Sequence, residues 1–490
     1  MWRKKMKNKE FPEDIKDYLV PSPSGRMFYR CLSCKNQFSI ENLLYVCPEC
    51  GGVLLLYLEN PLLEKIDGKR WRKIFDYRKI LNLLPLSGIF LFYEFIAPVI
   101  PLSHIIYLGE GHTPIVNASK RLKDIVGLEF FFKYEGLNPS ASFKDRGMAC
   151  ALSYINYLSK EKGKKIIAIC ASTGDTSASA ALYSSYLSED IRSAVILPEG
   201  KVTPEQLSQP LGHGAKVLEV PGVFDDCMKI VEYLSERYDV ALLNSKNSWR
   251  ILGQESFSYE IAQQFSYDMK GKAVVVPIGN AGNITAIMNG FLKFYKAGII
   301  DELPKIIGVQ SDHADPVFRY YMQEEGKRRF QPVKVRPSVA QAAMIGNPVS
   351  MPRVIELVKE YDEICGEKRF FVVQVKEQEI MDCMIIANRN GNIVCTQGGE
   401  SLAGLIRAKE KGYIGKSEIA ILNSTAHMLK FVSFQRMYFE DSFPDEYEVR
   451  PKEELKNFPI KIRPKRDKEK DYEGFIKECA EKIAEILSLS

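Results

Sequence analysis

A lysine at the start of a predicted helix is the first residue whose setting suggests covalent chemistry. Lys144 lies in the segment Ala-Ser-Phe-Lys-Asp-Arg-Gly at 141–147, between Asn138-Pro139 and an apolar run at 148–158 with helical spacing. The turn therefore presents the lysine at a helix N-terminus. Such an amine can act as a nucleophile or as a proton carrier, although a lysine considered alone is more often a surface residue.

A glycine-rich turn farther along the chain has the composition of an anion site. It follows the β-branched run at 273–276 and precedes a helical run that begins at Ile284. Backbone N–H groups in such a turn can converge on an anion, and the helix N-terminus adds partial positive charge. The turn lacks the lysine of a nucleoside-triphosphate loop, and a plain tight turn is the alternative. Its residues are Gly279, Asn280, Ala281, Gly282 and Asn283.

A third loop carries several hydroxyl groups and one carboxylate. It follows the run at 166–171 and opens a predicted helix at 178–187. A helix cap needs only one such side chain, so the surplus of polar groups favours a binding loop. The loop contains Ser172, Thr173, Gly174, Asp175 and Thr176.

Four cysteines near the N-terminus have the spacing of a metal site. Cys31 and Cys34 form one pair, Cys47 and Cys50 form a second pair twelve residues later, and two glycines follow. Two such pairs can close one tetrahedral site of four thiolates around zinc. Because no coordination position stays open, the metal would be structural. The segment lacks a dense basic patch, so the pattern gives no support for a nucleic-acid contact.

The elements that must position these loops follow an α/β pattern. From about residue 165, short β-branched runs alternate with longer segments of helical periodicity, which predicts a largely parallel sheet. Open sheets of this kind bind ligands at the carboxyl ends of their strands, where the polar loops lie. The predicted strands are 166–171, 193–197, 216–220, 240–243, 273–276, 305–309, 371–375 and 418–422.

Composition excludes several other classes of protein. The chain has 490 residues, 46% of them hydrophobic, and a net charge of +5 with the basic clusters mainly at its ends, which argues against a dedicated nucleic-acid or membrane-surface binder. Glu94, Pro98 and Pro101 interrupt the most apolar stretch, so we expect it to be buried within the protein. The Lys-rich start lacks an apolar continuation, and the seven other cysteines are scattered. We therefore expect a reducing, cytoplasmic location.

The three loops together resemble the threonine synthase family, which belongs to the fold type II pyridoxal-phosphate enzymes. The resemblance extends from about Leu108 to Phe434, and the ordered motifs are specific for the fold type. Further matching segments are Leu-Gly-Glu-Gly-His-Thr-Pro at 108–114, Leu-Pro-Glu-Gly-Lys at 197–201, Asn244-Ser245 with Trp249-Arg250 and Gly253-Gln254, and Ile-Gly-Asn-Pro-Val at 345–349.

The resemblance implies a fold and a cofactor site. The fold would consist of two open twisted sheet lobes with pyridoxal phosphate between them. Lys144 would be the Schiff-base lysine with Phe143 beside the cofactor ring, and the turn at 279–283 would bind the cofactor phosphate. Thr425 would face the pyridine nitrogen, and Asp175 stands where many relatives have Asn facing the phenolic oxygen. A carboxylate there would share a proton or shift a pKa.

The resemblance also implies a substrate, O-phospho-L-homoserine, which water converts to threonine and phosphate in the last step of threonine biosynthesis. Arg250 matters most for this choice, because a guanidinium binds a phosphate dianion in a bidentate manner. Thr173 would also contact the substrate. The residues that would gather around the substrate phosphate are Ser172, Thr176, Asn244, Ser245, Arg250 and Asn283.

The sequence departs from the family pattern in three places. Ser140-Ala141 stands where relatives usually have Thr-Gly, Ala426 and Met428 replace glycines, and Cys395 to Glu400 replaces a Glu-Pro-Ala-Ser loop. Other reactions therefore stay open: a cysteate synthase-like enzyme acting on another phosphorylated amino acid, or a threonine dehydratase-like lyase. An inactive zinc-ribbon protein that binds phosphate is the alternative from another class.

The chain divides into four predicted parts: a zinc-ribbon segment at 1–55, an extension at 56–107, a catalytic domain at 108–435 with a smaller lobe at about 150–240, and a C-terminal extension at 436–490. The last helix carries Phe475, Cys479, Ile483 and Ile486 on one stripe, which predicts docking onto the body. Relatives are often dimers, so we expect a homodimer acting on a small molecule, with no nucleic-acid or membrane partner.

Overall fold

Two open sheets carry most of the chain, and a small antiparallel sheet lies at its N-terminal end. The computed structural model describes residues 11–163, 166–172, 174–187, 191–199, 204–222 and 224–489. Within them, six strands form the larger sheet in the order β12-β11-β10-β13-β5-β4, and four strands form the smaller sheet in the order β8-β7-β6-β9. The strands are β1 (Arg26–Cys31), β2 (Gln37–Ser39), β3 (Leu54–Glu59), β4 (Ile115–Asn117), β5 (Glu129–Tyr134), β6 (Ile166–Ala171), β7 (Ile191–Pro198), β8 (Lys216–Val220), β9 (Val240–Leu242), β10 (Lys272–Pro277), β11 (Lys305–Ser311), β12 (Phe370–Val375) and β13 (Ile419–Ser424).

All eight strands predicted from β-branched runs are present, and they pair in parallel within the two sheets. β4 and β5 were outside that prediction. β4 pairs antiparallel with β5 at the sheet edge, and its three residues are half-buried or exposed. Such a short edge strand carries no alternating pattern by which the sequence could reveal it.

Helices cover the sheets and begin where the polar loops end. The α-helices are α1 (Pro61–Lys65), α2 (Gly68–Leu81), α3 (Tyr93–Ile96), α4 (Lys120–Val126), α5 (Lys144–Lys162), α6 (Asp175–Tyr186), α7 (Pro204–Gly212), α8 (Phe224–Arg237), α9 (Ser248–Gln254), α10 (Ser256–Gln264), α11 (Gly282–Lys296), α12 (Pro316–Tyr321), α13 (Met351–Cys365), α14 (Glu377–Arg389), α15 (Thr396–Glu410), α16 (Val432–Glu440) and α17 (Tyr472–Ile486).

The larger sheet separates two apolar cores. On β10, Val274 and Val276 belong to one core, and Ala273 and Val275 belong to the other. Successive side chains of a strand point to opposite faces, so a strand covered on both faces is apolar throughout. This burial explains why β10 reads as a continuous run in the sequence.

The segment before the catalytic body packs against it through aromatic side chains. Trp71 and Phe75 on α2 stack on each other, and Phe75 stacks on Phe294 of α11 at a centroid distance of 5.8 Å. The apolar stretch at 89–106 is largely buried, as predicted. No helix in the described part of the chain has the length and apolarity to cross a membrane.

The C-terminal helix differs from the prediction. No residue of α17 is buried, and Ile483 and Ile486 are exposed. Its visible anchors are polar, because Glu478 accepts hydrogen bonds from the backbone of Lys465 and Arg466. The apolar stripe is present, but the hydrogen bonds of Glu478 go to the segment just before the helix. The prediction that this helix docks onto the body of the protein was wrong.

Candidate active site

Lys144 begins α5, as the sequence predicts, and its backbone is tied to the neighbouring loop. Phe143 donates its N–H to the carbonyl of Thr425 at 2.9 Å. The Lys144 Nζ lies 4.3 Å from the centroid of the Phe143 ring. Burial lowers the pKa of the Lys144 amine to about 8, and the nearby Arg250 guanidinium adds to this effect. The amine is thus far closer to its neutral, nucleophilic form at neutral pH than an exposed lysine would be.

The loop at 279–283 forms a cradle at the N-terminus of α11. Ala281 has a φ of 61° and places the backbone N–H groups in a turn ahead of the helix. A Cβ on Gly279 would lie 3.1 Å from both the Ala342 carbonyl oxygen and the Ala343 Cα, so a side chain there would crowd the loop. The Nδ2 of Asn283 is buried and has no hydrogen-bond partner among the described residues.

Strand pairing brings this cradle next to Thr425. β10 and β13 are parallel neighbours with Val275 opposite Leu422, so the loops that follow them leave the sheet at the same edge. The Thr425 Oγ1 lies 3.6 Å from the Cys395 Sγ. Cys395 caps α15, since its sulfur accepts the N–H of Gly398.

One cavity joins loops from the two lobes. It unites most of the residues that the sequence singled out. Those that line it are Phe143, Lys144, Asp175, Ser245, Arg250, Gly279, Asn280, Ala281, Gly282, Asn283 and Thr425.

Three predicted substrate residues do not line this cavity. Ser172 accepts the N–H of Gly174, which shapes the loop. Asn244 uses its amide on the backbone of Ala171, where Nδ2 donates to the carbonyl at 2.6 Å and Oδ1 accepts the N–H at 3.0 Å. Thr176, at the start of α6, is half-buried. Thr173 lies outside the described residues.

Arg250 is a buried cation on the cavity wall. Its Nη1 donates to the Leu243 carbonyl at 2.9 Å, and its Nε has no partner within the described ranges. No described carboxylate lies within 4.0 Å of the guanidinium, in contrast to the paired buried arginines elsewhere in the chain. Burial lowers its pKa to about 10. A buried cation without an acid is costly unless an anion completes it.

Two glycines set the distance between Arg250 and Lys144. A Cβ on Gly147 of α5 would lie 2.8 Å from the Arg250 carbonyl oxygen, and a Cβ on Gly253 of α9 would lie 2.2 Å from the Arg146 carbonyl oxygen. The helices that carry the lysine and the arginine therefore cross in close contact, which a larger side chain would prevent.

A buried ion network holds the start of α5. Arg146 donates to both carboxylate oxygens of Glu135 and of Glu260, and Lys133 pairs with Glu260 at 2.8 Å. Arg146 keeps the pKa of Glu260 well below its usual value although burial opposes this. The network fixes the backbone next to Lys144.

Several cavity residues were not assigned a role from the sequence. Gln397 is 3% exposed and both atoms of its amide lack partners among the described residues. Gln254 and Ile251 come from α9, and Ala342 and Ala343 come from the loop after β11 and α12. Gln397 and Gln254 stand inside recognisable motifs, but only the fold shows that they face the same cavity.

The four N-terminal cysteines also come together. The Sγ atoms of Cys31 and Cys50 are 3.5 Å apart, and those of Cys34 and Cys47 are 3.6 Å apart. Zn–S bonds of about 2.3 Å in a tetrahedron require sulfur atoms about 3.8 Å apart, so the cluster fits one zinc ion. A Cβ on Gly52 would lie 2.9 Å from the Cys31 Sγ, which explains the glycine after the second pair.

Comparison with known proteins places this geometry among related enzymes. Residues 106–425 match the family described as pyridoxal-phosphate dependent enzyme. The threonine synthase of Methanocaldococcus jannaschii is 35% identical over 82% of this chain and 93% of its own length. The chloroplastic threonine synthase 2 of Arabidopsis thaliana is 32% identical over 88% of this chain and 81% of its own length.

The same fold occurs in a solved structure. The crystal structure of threonine synthase from Escherichia coli superposes with a TM-score of 0.62 at 18% identity, and the match covers 92% of this chain and 94% of that one.

Proposed function

The chain belongs to the pyridoxal-phosphate dependent enzyme family, and from this premise we propose that it catalyses the threonine synthase reaction. It is a lyase that converts O-phospho-L-homoserine and water to L-threonine and phosphate, the last step of threonine biosynthesis. Relatives bearing the threonine synthase name match most of the chain at 32–35% identity. The prediction made from the three loops is thereby confirmed.

The observation that carries the substrate assignment is the uncompensated cation on the cavity wall. The Arg250 Nε and the Asn283 Nδ2 are buried hydrogen-bond donors without protein partners in the described chain, and both residues line the cavity that contains Lys144. A phosphate dianion satisfies such donors, because it offers several acceptor oxygens and two negative charges. The cofactor brings one phosphate and the substrate brings another, so two anion positions are needed.

Residues on three loops fit the cofactor. The glycine cradle at 279–283 would hold its phosphate at the α11 N-terminus. Phe143 would lie beside its ring, Thr425 would face the ring nitrogen, and Asp175 would face the phenolic oxygen. When bound, pyridoxal phosphate supplies an electron sink for carbanions formed at the substrate carbons.

Lys144 then moves protons. With the cofactor bound, the neutral Lys144 Nζ would take protons from the substrate Cα and Cβ and would return protons to Cγ, which becomes the methyl group, and to Cα. The lowered pKa of this amine favours the task, because burial and the Arg250 cation both disfavour its protonated form. Burial in the cavity also keeps bulk water away from the reacting carbons.

Arg250 stabilises the leaving group. Cleavage of the Cγ–O bond places more charge on the phosphate, and a fixed guanidinium lowers the free energy of that charge without reorganisation. Ser245, which lines the same cavity, would also contact the substrate phosphate. Water then adds at Cβ and threonine leaves.

We further propose that the N-terminal cysteines bind one structural zinc ion. The spacing of the four sulfur atoms and the crowding at Gly52 support this assignment. A reducing, cytoplasmic location stays a prediction from the sequence. A homodimer that contacts neither nucleic acid nor membrane stays a prediction, and so do the four domain boundaries.

A substrate panel tests the assignment. Purified protein is given O-phosphohomoserine, O-phosphoserine with sulfite, or threonine alone, with Lys144→Ala alongside. Threonine and phosphate from the first substrate, lost in the variant, support the proposal. Turnover of O-phosphoserine with sulfite alone would move the reaction to a cysteate synthase-like enzyme, and turnover of threonine alone would make the protein a dehydratase. A colourless protein that turns over nothing would favour the inactive phosphate-binding alternative.

A further inference from the structure

Lys430 joins the two lobes next to the cavity residue Asp175. It lies on the short 3-10 turn Met428–Phe431 that follows Thr425 on the larger lobe. Its Nζ is 2.9 Å from the Asp175 Oδ1 on the smaller lobe. The Lys430 side chain is 16% exposed and that of Asp175 is 5% exposed, so the pair is largely removed from solvent.

The same ammonium group has two more partners. It donates to the Ser140 carbonyl at 2.9 Å and to the Gln209 Oε1 at 2.9 Å. Gln209, on α7 of the smaller lobe, also donates from its Nε2 to the Ser140 carbonyl at 3.2 Å. Lys430 therefore ties the loop after β13 to two elements of the smaller lobe and to the segment before Lys144.

Ser140 links Lys430 to the residue that follows Lys144. Its N–H and its hydroxyl each donate to the Asp145 carboxylate at 2.6 Å, and Ser179 of α6 donates to the same carboxylate. Asp145 is the neighbour of Lys144 and is fully buried. The position of Lys430 is thus coupled through one carbonyl to the backbone that carries the cofactor lysine.

Charge gives this contact a role beyond tethering. Asp175 lines the cavity with Lys144, at a position where a bare carboxylate would repel an anionic oxygen of a ligand. The titratable groups acting on Lys144 are Arg250, Asp175, Cys170 and Lys430. Arg250 and Lys430 lower the pKa of Lys144 and Asp175 raises it, so removing Lys430 leaves Asp175 opposed by Arg250 alone among these groups.

We propose that Lys430 is a positioning residue for the reaction, which cancels the charge of Asp175 at the cavity and holds the smaller lobe against the Lys144 loop. The Asp175–Lys430 pair carries no net charge. In this chain it would take the place of the neutral Asn side chain that many relatives have at position 175. The inference rests on the proposed function in one respect, the attachment of the cofactor at Lys144.

The test is a pH titration of the visible absorption of the holoenzyme without substrate, which reports protonation of the bond between Lys144 and the cofactor. Lys430→Met should raise the midpoint by about one pH unit or more, and Asp175→Asn should lower it. The double variant should return most of the way to the wild-type midpoint. Lys430→Arg, which keeps the charge, should stay close to wild type.

The control is Lys456→Met, because Lys456 is 11% exposed and paired with Asp441 and Glu453 away from the cavity. Its midpoint should not move. Thermal unfolding of each variant checks that it folds. If Lys430→Met does not fold, the test depends on the lowered midpoint of Asp175→Asn and on the unchanged midpoint of Lys430→Arg.

Steady-state rates supply a second readout. Lys430→Met should lose roughly tenfold to a hundredfold in kcat/KM for O-phosphohomoserine. The double variant, in which Asp175→Asn is added to Lys430→Met, should recover part of that loss. A midpoint in Lys430→Met equal to that of Lys456→Met, or a double variant as shifted as Lys430→Met, would overturn the inference. A wild-type protein without a visible band would overturn the proposed function as well.

Discussion

At the scale of single residues, the chemistry depends on cations that burial has left without acid partners. Lys144 and Arg250 line one cavity, and the Arg250 guanidinium lowers the pKa of the Lys144 amine. Removing Arg250 should therefore also change the protonation of Lys144.

Arg250→Gln should lower kcat/KM for O-phosphohomoserine by roughly a hundredfold to a thousandfold, because the leaving phosphate loses its fixed cation. It should also raise the pKa of Lys144 above about 8, since Arg250 is the largest electrostatic cause of the lowering after burial. The rate at which the apoprotein captures pyridoxal phosphate, measured against pH, should show its midpoint move upward.

Arg369→Gln is the matched control, because Arg369 pairs with Glu302 and Glu367 away from the cavity. An unchanged capture midpoint in Arg250→Gln would show that Arg250 does not act on Lys144.

Ala141 occupies a backbone conformation that favours glycine. Its φ is 64°, and its neighbours hold it there, since its N–H donates to the Asn138 carbonyl at 2.7 Å. The left-handed conformation costs an L-residue about 1–2 kcal/mol, and glycine avoids this cost. Glycine loses more backbone entropy on folding than alanine, so the net gain from the substitution is smaller. Ala141→Gly should therefore stabilise the protein by about 0.5–1 kcal/mol, which chemical denaturation measures.

Ala426→Gly supplies the contrast. Ala426 also stands where relatives have glycine, but it is fully buried and has no positive φ. This variant should lose about 0.5–1 kcal/mol through backbone freedom and lost packing. Stabilisation by both variants would mean that φ is not the cause.

The sequence predicted which residues line the cavity better than it predicted the contacts that these residues make. Lys144, Arg250 and the loop at 279–283 stand in motifs, so a resemblance locates them. Lys430 was not predicted, because its contact with Asp175 depends on how two lobes meet and leaves no local pattern. The amide of Asn244 was expected at the substrate, but the backbone of Ala171 takes both of its ends.

At the scale of elements, the N-terminal antiparallel sheet is joined to α9, the helix that carries Arg250. The Leu54 carbonyl at the start of β3 accepts hydrogen bonds from Arg353 and from the Ser248 hydroxyl. Arg353 also donates to the Ser350 hydroxyl on the loop before α13. Ser248 begins α9, the helix of Arg250, so the order of the cysteine segment supports the position of that guanidinium.

Removal of zinc should therefore weaken the substrate site as well as the fold. Chelation, or Cys34→Ser, should lower the unfolding temperature and raise the KM for O-phosphohomoserine, with a coupling of about 0.5–2 kcal/mol. Metal analysis should find one zinc ion per untreated chain. Cys365→Ser, at a half-buried cysteine outside the cluster, should change neither property, and an unchanged KM after complete zinc loss would contradict the coupling.

The ion network under α5 predicts a pH-dependent stability. Arg146→Met leaves Glu135 and Glu260 buried without their guanidinium and should cost about 3–5 kcal/mol at neutral pH. Because the folded-state pKa of Glu260 is depressed, its contribution is present above the unfolded value near 4.5 and is lost as the pH falls below it.

The loss in folding stability caused by Arg146→Met should therefore become smaller below about pH 4.5. Thermal unfolding of both proteins across a range of pH measures this change. Arg319→Met removes an ion pair whose arginine is 62% exposed and should cost little at any pH. A deficit that is constant from neutral to acid pH would mean that packing, and not charge, explains the loss.

At the scale of the whole molecule, the strands could be predicted but their order could not. Runs rich in β-branched residues mark β6 to β13, and β10 and β11 are apolar almost throughout because both of their faces are covered. The position of β13 between β10 and β5 depends on packing between distant segments, and no local pattern encodes it. That order is what places Thr425 beside the phosphate cradle.

The two lobes together make the site. The larger sheet supplies the cradle and Thr425, the smaller lobe supplies Asp175 and the loop of Ser245, and α5 with α9 supplies Lys144 and Arg250. A cofactor between two such lobes can be enclosed or released by small changes in their separation, which is the reason that contacts such as that of Lys430 matter for the reaction.

The most direct test is turnover of O-phosphohomoserine in ¹⁸O-labelled water, with mass spectrometry of both products. Elimination breaks the Cγ–O bond and water then adds at Cβ, so threonine should carry ¹⁸O in its hydroxyl group and phosphate, released in equal amount, should carry none. Unlabelled threonine, or homoserine together with ¹⁸O-labelled phosphate, would contradict the proposed reaction.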